Sequence, residues 1–327
     1  MRIAFSDDGR DFLRRDWSDL VAADPAGTFF HTPRYLKLYW EELGQDVRLL
    51  LAFAEEDGRT VGAGAFERLG PTLRFLGGTE VTDYMGPVAA PGAEDRVAKE
   101  LVAALAGLDD WTDADLRGLP EDSAWLSRLS DASAAQGLST EVGEDSVAPF
   151  LDLPPTYDAY LAGLPSKLRH EIRRKARRLG TELGGHELTL ATPETLVDDL
   201  EAFVAMHRAS EGPKGKFMVP GMQIFFRRLA ETFLPDGIFR LAFLEAEGRK
   251  LAGAIAFAFQ GTTYLYNSAF DRSRRDLAPG LVLVADLIER AIAEGCVGFD
   301  LLKGGLAYKY RFGARPRQVK RLVLARR

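Results

Sequence analysis

Hydrophobic and polar positions alternate with two clear periods along the chain. Tyr35, Leu36, Tyr39, Trp40 and Leu43 recur at helical spacing behind Thr32 and Pro33, a cap residue followed by a first-turn proline. Residues 47–54, 58–67 and 72–76 then read as a strand meander turning at Asp57-Gly58 and Gly70-Pro71. Helices are expected over 10–22, 92–105 and 124–136, with short strands at 2–5, 83–88, 114–116 and 147–153. After Pro154-Pro155 the pattern predicts a helix over 157–179, interrupted at Pro165. A strand at 187–191 follows, then helices at 194–210 and 221–233. A second meander covers 239–246, 250–260 and 262–270, and a last strand covers 319–325.

The two meanders resemble each other. Arg48–Phe66 reads RLLLAFAEEDGRTVGAGAF and Arg240–Phe257 reads RLAFLEAEGRKLAGAIAF. Each is preceded by an aromatic-rich helix and followed by a strand, a Pro-led helix and another strand. A repeat this long is a duplicated domain rather than a solenoid unit. We therefore expect an α/β (α+β) fold of two tandem domains, residues 1–155 and 156–327. Each should hold a mixed, mainly antiparallel twisted sheet flanked by helices.

Composition changes this picture in one respect. The net charge of −6 conceals 14 Lys and Arg against 30 Asp and Glu up to Pro165, and 28 against 18 from Ser166 onward. A basic second half points to an anionic partner, or to pairing with the acidic first half. One cysteine, Cys296, excludes an internal disulfide and a cysteine-rich zinc site. The four histidines are scattered, and His170-Glu171 has no second histidine one turn on, so no metal is expected. No apolar run is long enough to span a bilayer, and the charged N-terminus lacks a signal-peptide core. These features place the protein in the cytoplasm as an expectation.

The chemistry-bearing stretch is Gly261–Gly305. It reads as a strand, a basic turn, an amphipathic helix and a short buried strand. In the turn, Arg274 and Arg275 precede Asp276, Ala278, Pro279, Gly280 and Leu281. Small residues at a helix start let backbone N–H groups approach a phosphate. Asp276 adds a negative charge to the same turn. Asp300 ends an apolar strand and suits a base or an ammonium anchor, or equally a capping carboxylate. His207, Lys214 and Lys216 could face substrate, the two lysines from a Gly-rich loop able to close over it; a structural histidine and a solvated loop are the alternatives. The helix SKLRHEIRRKARRL (Ser166–Leu179) carries a basic face suited to tRNA, an anionic polymer or acidic lipid, or to solvent.

The meander, the R-x-x-A-x-G loop and its helix together resemble the coenzyme A site of the GCN5-related N-acetyltransferase (GNAT) superfamily. The segments FDLLKGG (Phe299–Gly305) and YKYRFG (Tyr308–Gly313) resemble the ending of its long duplicated branch, the CelD/BcsL-like acetyltransferases related to the FemABX aminoacyltransferases. The resemblance implies that Arg274, Arg275, Ala278, Gly280 and Leu281 hold acetyl-CoA or another acyl-CoA as co-substrate. It implies Tyr308 as the acid that protonates the leaving thiolate, unless that ring only packs. Lys303, Lys309 and Arg311 could contact phosphate or a substrate carboxylate, or simply belong to the exposed surface. The expected reaction is direct N-acylation of an amine, on a small molecule or a cell-envelope or polysaccharide precursor. The rival expectations are a FemABX-like transferase using aminoacyl-tRNA on a peptidoglycan precursor, and a non-catalytic binding protein on the same fold.

Overall fold

The computed structural model describes residues 1–326. The chain divides into two compact units, unit 1 comprising Met1–Val147 with Arg317–Arg327 and unit 2 comprising Ala148–Pro316.

Unit 1 begins with β1 (Arg2–Ser6), α1 (Asp11–Arg14), α2 (Ser18–Ala23) and α3 (Pro33–Leu43). The helix expected over 10–22 is broken between α1 and α2, where the Trp17 indole donates to the His31 carbonyl at 3.0 Å. The hairpins β2 (Arg48–Glu56), β3 (Arg59–Leu69) and β4 (Thr72–Phe75) follow. The strand expected over 83–88 is reduced to β5 (Val88–Ala89). Then come α4 (Glu94–Ala106), β6 (Asp113–Pro120), α5 (Ala124–Ala135) and β7 (Ser139–Asp152), whose residues from Ala148 on belong to unit 2. Pairing runs β1, β2, β3, β4 antiparallel, and then β4 to β6 in parallel through Thr72↔Asp113 and Leu73↔Ala114. A parallel pair needs a crossover, and α4 supplies it. The core gathers Phe66, Phe75, Val97, Leu101, Trp111, Leu116 and Trp125.

Unit 2 continues with α6 (Tyr157–Gly163), α7 (Ser166–Leu183), β8 (Glu187–Leu190), α8 (Leu196–Arg208), α9 (Pro213–Phe217) and α10 (Pro220–Phe233). Residues 213–217, expected as an open loop, form the short helix α9. The meander β9 (Phe239–Ala246), β10 (Arg249–Phe259) and β11 (Thr262–Phe270) leads to α11 (Pro279–Ala293) and β12 (Gly298–Asp300). β11 and β12 pair in parallel. The order of steps repeats that of unit 1: an antiparallel meander, a crossover helix, then a parallel strand. One face of this sheet packs on Leu161, Ile172, Leu179, Leu283, Ile288 and Ile292. On the other face Phe226 of α10 meets Tyr266 with rings 5.6 Å apart, and Phe257 packs against both Phe239 and Tyr266. The last strand, β13 (Arg315–Ala325), pairs antiparallel with β6 through Val319–Ala325, inside unit 1.

A candidate acyl-donor site in unit 2

β11 and β12 pair only at Thr262↔Gly298, Thr263↔Phe299 and Tyr264↔Asp300. β12 ends there while β11 runs on to Phe270, so the sheet opens between them. A bulge lies at the start of the opening. Ala256 pairs with Leu265 and Ile255 with Asn267, leaving Tyr266 as the extra residue. A bulge re-aims the side chains that follow it. Here it lets both Tyr266 and Asn267 face the layer of α8 and α10, against Phe226 and His207.

The turn after β11 is a 3-10 segment, Arg272–Leu277, that ends at Ala278 in the left-handed region, φ 54°. Pro279 starts α11 without an N–H, and no side chain caps the helix. The Leu281 N–H bonds to the Ala278 carbonyl at 3.0 Å, so among the described residues the Gly280 N–H is left without a partner. Such an end favours an anion through its free donor and the helix dipole. Arg274 and Arg275 make no side-chain ion pair or hydrogen bond among the described residues. A Cβ at Gly280 would meet only Phe270, at 3.5 Å, an ordinary contact. Packing therefore does not require glycine there.

Asp276 is answered from α7. Arg178 donates to its carbonyl at 3.1 Å and to its carboxylate at 3.3 Å, and Lys175 donates to the same carbonyl at 3.0 Å. The basic helix thus holds the turn and offsets its one negative charge. α7 is anchored by buried Ile172, Leu179 and Leu183, while Arg173, Arg174 and Arg177 stay exposed.

A polar cluster lies along the end of β11. His207 is 1% exposed; its Nε2 meets Asn267 Oδ1 at 3.1 Å, while its Nδ1 is buried without a partner. Burial, reinforced by the Lys214 charge, lowers its pKa to about 4, so it is neutral near pH 7. Lys214 donates to the Ser268 carbonyl, and burial lowers its own pKa. The Tyr308 hydroxyl bonds the Ser268 side chain, and loss of water holds it above the ordinary phenol value. Asn267 and Ser268 were not singled out from the sequence. Their signal is a polar pair inside the apolar run YLYNSAF.

The remaining expected residues sit as follows. Asp300 is fully buried, and its Oδ1 accepts from the Leu302 N–H at 2.7 Å. Lys309 is buried, with Nζ donating to the carbonyls of Leu302 at 2.8 Å and Lys303 at 2.7 Å. These bonds fix a tight turn in which Leu302 takes φ 57°. Arg311 lies 3.7 Å from Glu171 of α7. Lys216 is exposed, and Leu281 packs beside the core. No group of three potential metal ligands occurs among the described residues, and no helix there is long and apolar enough to cross a membrane.

Comparison with known proteins agrees with this fold. Residues 166–310 match the family model of the acetyltransferase (GNAT) domain. No curated protein matches the sequence. A crystal structure of FemX is 11% identical, with a TM-score of 0.69 over 98% of this chain and 97% of that one. The C-terminal domain of a putative lysylphosphatidylglycerol synthetase from Agrobacterium fabrum is 13% identical, with a TM-score of 0.62 over 97% of this chain and 92% of that one. A tandem GNAT protein from the clavulanic acid biosynthesis pathway is 15% identical, with a TM-score of 0.51 over 100% and 99%. Residues 166–310 thus form a GNAT acetyltransferase domain, and the chain as a whole shares its fold with FemX and with a tandem GNAT protein.

Proposed function

We propose that this chain is an N-acyltransferase that takes its acyl group from acyl-CoA bound at unit 2 and passes it directly to an amine. The observation that carries the reading is the open N-terminus of α11, with an unpartnered Gly280 N–H beside Arg274 and Arg275, at the mouth of the β11–β12 opening. The pyrophosphate of coenzyme A would lie on that N-terminus and the thioester would run between the two strands. β11 N–H groups freed by the opening can polarise its carbonyl.

The amine, as its neutral form, attacks the thioester carbonyl. The carbon–nitrogen bond forms and the carbon–sulfur bond breaks. Tyr308 gives its proton to the leaving sulfur and regains one from the new amide nitrogen. Its raised pKa keeps it protonated until the thiolate appears. Asp300 and Lys309 act by holding the turn that leads to Tyr308. His207, Asn267 and Lys214 line the acceptor side.

The test compares two substitutions at one position by calorimetric titration with acetyl-CoA. Gly280→Ala places a methyl in ordinary contact with Phe270 and should fold and bind within about threefold of wild type. Gly280→Glu puts a carboxylate at the phosphate position and should abolish binding. No binding by folded wild-type protein at about 1 mM ligand would remove the proposal.

The exposed Arg173, Arg174 and Arg177 favour one second reading, an aminoacyl-tRNA donor. It requires tRNA binding that weakens steeply with salt.

A further inference from the structure

Unit 1 has its own opening at the matching step of its topology. β4 and β6 pair only near Leu73 and Ala114, and a cleft of ≈ 490 Å³ lies beyond that point. It is not a second copy of the acyl-donor site. The crossover helix α4 starts with Glu94 and Asp95 in its first turn, and Arg96 beside them is paired with Glu56, so this end does not favour phosphate.

Two cleft residues stand out. Glu67 and Arg74 are direct cross-strand partners on β3 and β4. Glu67 is only 4% exposed; Tyr39 and the Gly77 N–H donate to its carboxylate, yet its Oε2 is buried with no partner. Arg74 likewise has a buried Nε with no partner. The two charges attract each other, yet a buried carboxylate oxygen and a buried guanidinium N–H each lack a hydrogen bond, which is costly unless something occupies both. Two other charges of the cleft, Asp115 and Arg117, are already matched. Arg117 bonds Asp115 at 2.9 Å, and Arg321 bonds Asp115 at 2.6 Å. The wall is rigid: Thr82 bonds the Gly77 carbonyl, and a Cβ at Gly78 would come within 2.6 Å of the Tyr39 hydroxyl. Val47, Leu69, Phe75 and Met85 make up the apolar lining.

We propose that this cleft binds a free α-amino acid with an apolar side chain, its ammonium on Glu67, its carboxylate on Arg74, and its side chain against Phe75 and Met85. Adjacent cationic and anionic groups on one small molecule match the unmet oxygen and N–H, and the apolar wall takes the rest. The site is independent of the donor chemistry in unit 2.

The full chain is titrated calorimetrically with L-leucine, 4-methylpentanoate, which lacks the ammonium, and 3-methylbutylamine, which lacks the carboxylate. Saturable L-leucine binding is expected with Kd below about 1 mM, and each analogue should bind at least about tenfold more weakly. Glu67→Gln should weaken L-leucine binding about tenfold while leaving acetyl-CoA binding unchanged. Gly280→Glu should leave L-leucine binding unchanged. If Glu67→Gln does not fold, the wild-type analogue series carries the test. The proposal is overturned by absent L-leucine binding, by equal binding of either analogue, by a folded Glu67→Gln variant of undiminished affinity, or by loss of the site in Gly280→Glu.

Discussion

The clasp between α7 and the turn before α11 makes a quantitative prediction. Replacing Arg178 with alanine removes the donor to the Asp276 carbonyl and the counter-charge of its carboxylate, and leaves Lys175 on the carbonyl. Both side chains of the ion pair are more than a third exposed, so its direct worth to folding is about 1 kcal/mol or less. The melting temperature should therefore change little. The effect on donor binding is larger. With the pyrophosphate of the proposed site taken at roughly 7 Å, an uncompensated Asp276 would repel it. At an intermediate effective dielectric of about 40, each phosphate charge is then disfavoured by about 1 kcal/mol. With two such charges, acetyl-CoA binding should weaken about 10- to 30-fold. Asp276→Asn in the Arg178→Ala background should restore most of the loss. Raising the salt from about 0.05 M to 0.5 M should shrink the difference, because the charges are near solvent. The assay is calorimetric titration of three folded proteins at two salt concentrations. An Arg178→Ala affinity within twofold of wild type, or no rescue by Asp276→Asn, would refute the reasoning.

Three further outcomes follow from the same geometry. Gly313→Ala should lower stability by about 1–3 kcal/mol in chemical denaturation, since φ is +80° and its Cβ would lie 2.6 Å from Leu164. His31 and His207 both have pKa values lowered from 6.5 to about 4 by burial. Below the unfolded value the unfolded chain binds more protons, so stability should fall as pH drops from about 6.5 toward 4, by up to about 3 kcal/mol per histidine. His207→Asn should flatten that slope by about one proton, and an unchanged slope would contradict its assigned neutral state. Under the tRNA reading, Arg173→Ala/Arg174→Ala/Arg177→Ala should abolish salt-sensitive tRNA binding in a filter assay without changing acetyl-CoA affinity.

Much of the fold was written in local pattern. β9 and β11 begin and end where period-two alternation said they would, at Phe239–Ala246 and Thr262–Phe270. Thr32 does accept from the Tyr35 N–H, as a cap should. Pro165 divides the helix expected over 157–179 into α6 and α7. The failures are non-local. β13 lies between β6 and β7, both far away in sequence, and no local pattern encodes that pairing. β7 runs longer than its apolar stretch because pairing extends it through polar residues 139–146.

The site divides the same way. The basic turn and small residues before α11 were legible because phosphate chemistry has a compact signature. Asp276 read as an unfavourable charge only because Arg178 approaches from another helix. Lys309 looked like a ligand contact, but the turn at Leu302 brings two carbonyls to its ammonium. Asn267 owes its aim to a bulge, which strand periodicity does not reveal. Glu67 and Arg74 are ordinary strand residues until burial leaves both with an unmet polar atom.

The most direct test of the acyl-donor assignment is a co-crystal structure with coenzyme A. The expected result is one molecule in unit 2, its pyrophosphate within hydrogen-bond reach of the Gly280 N–H and its thiol in the β11–β12 opening near Tyr308. Coenzyme A bound in unit 1 instead, or none bound at saturating concentration, would contradict it.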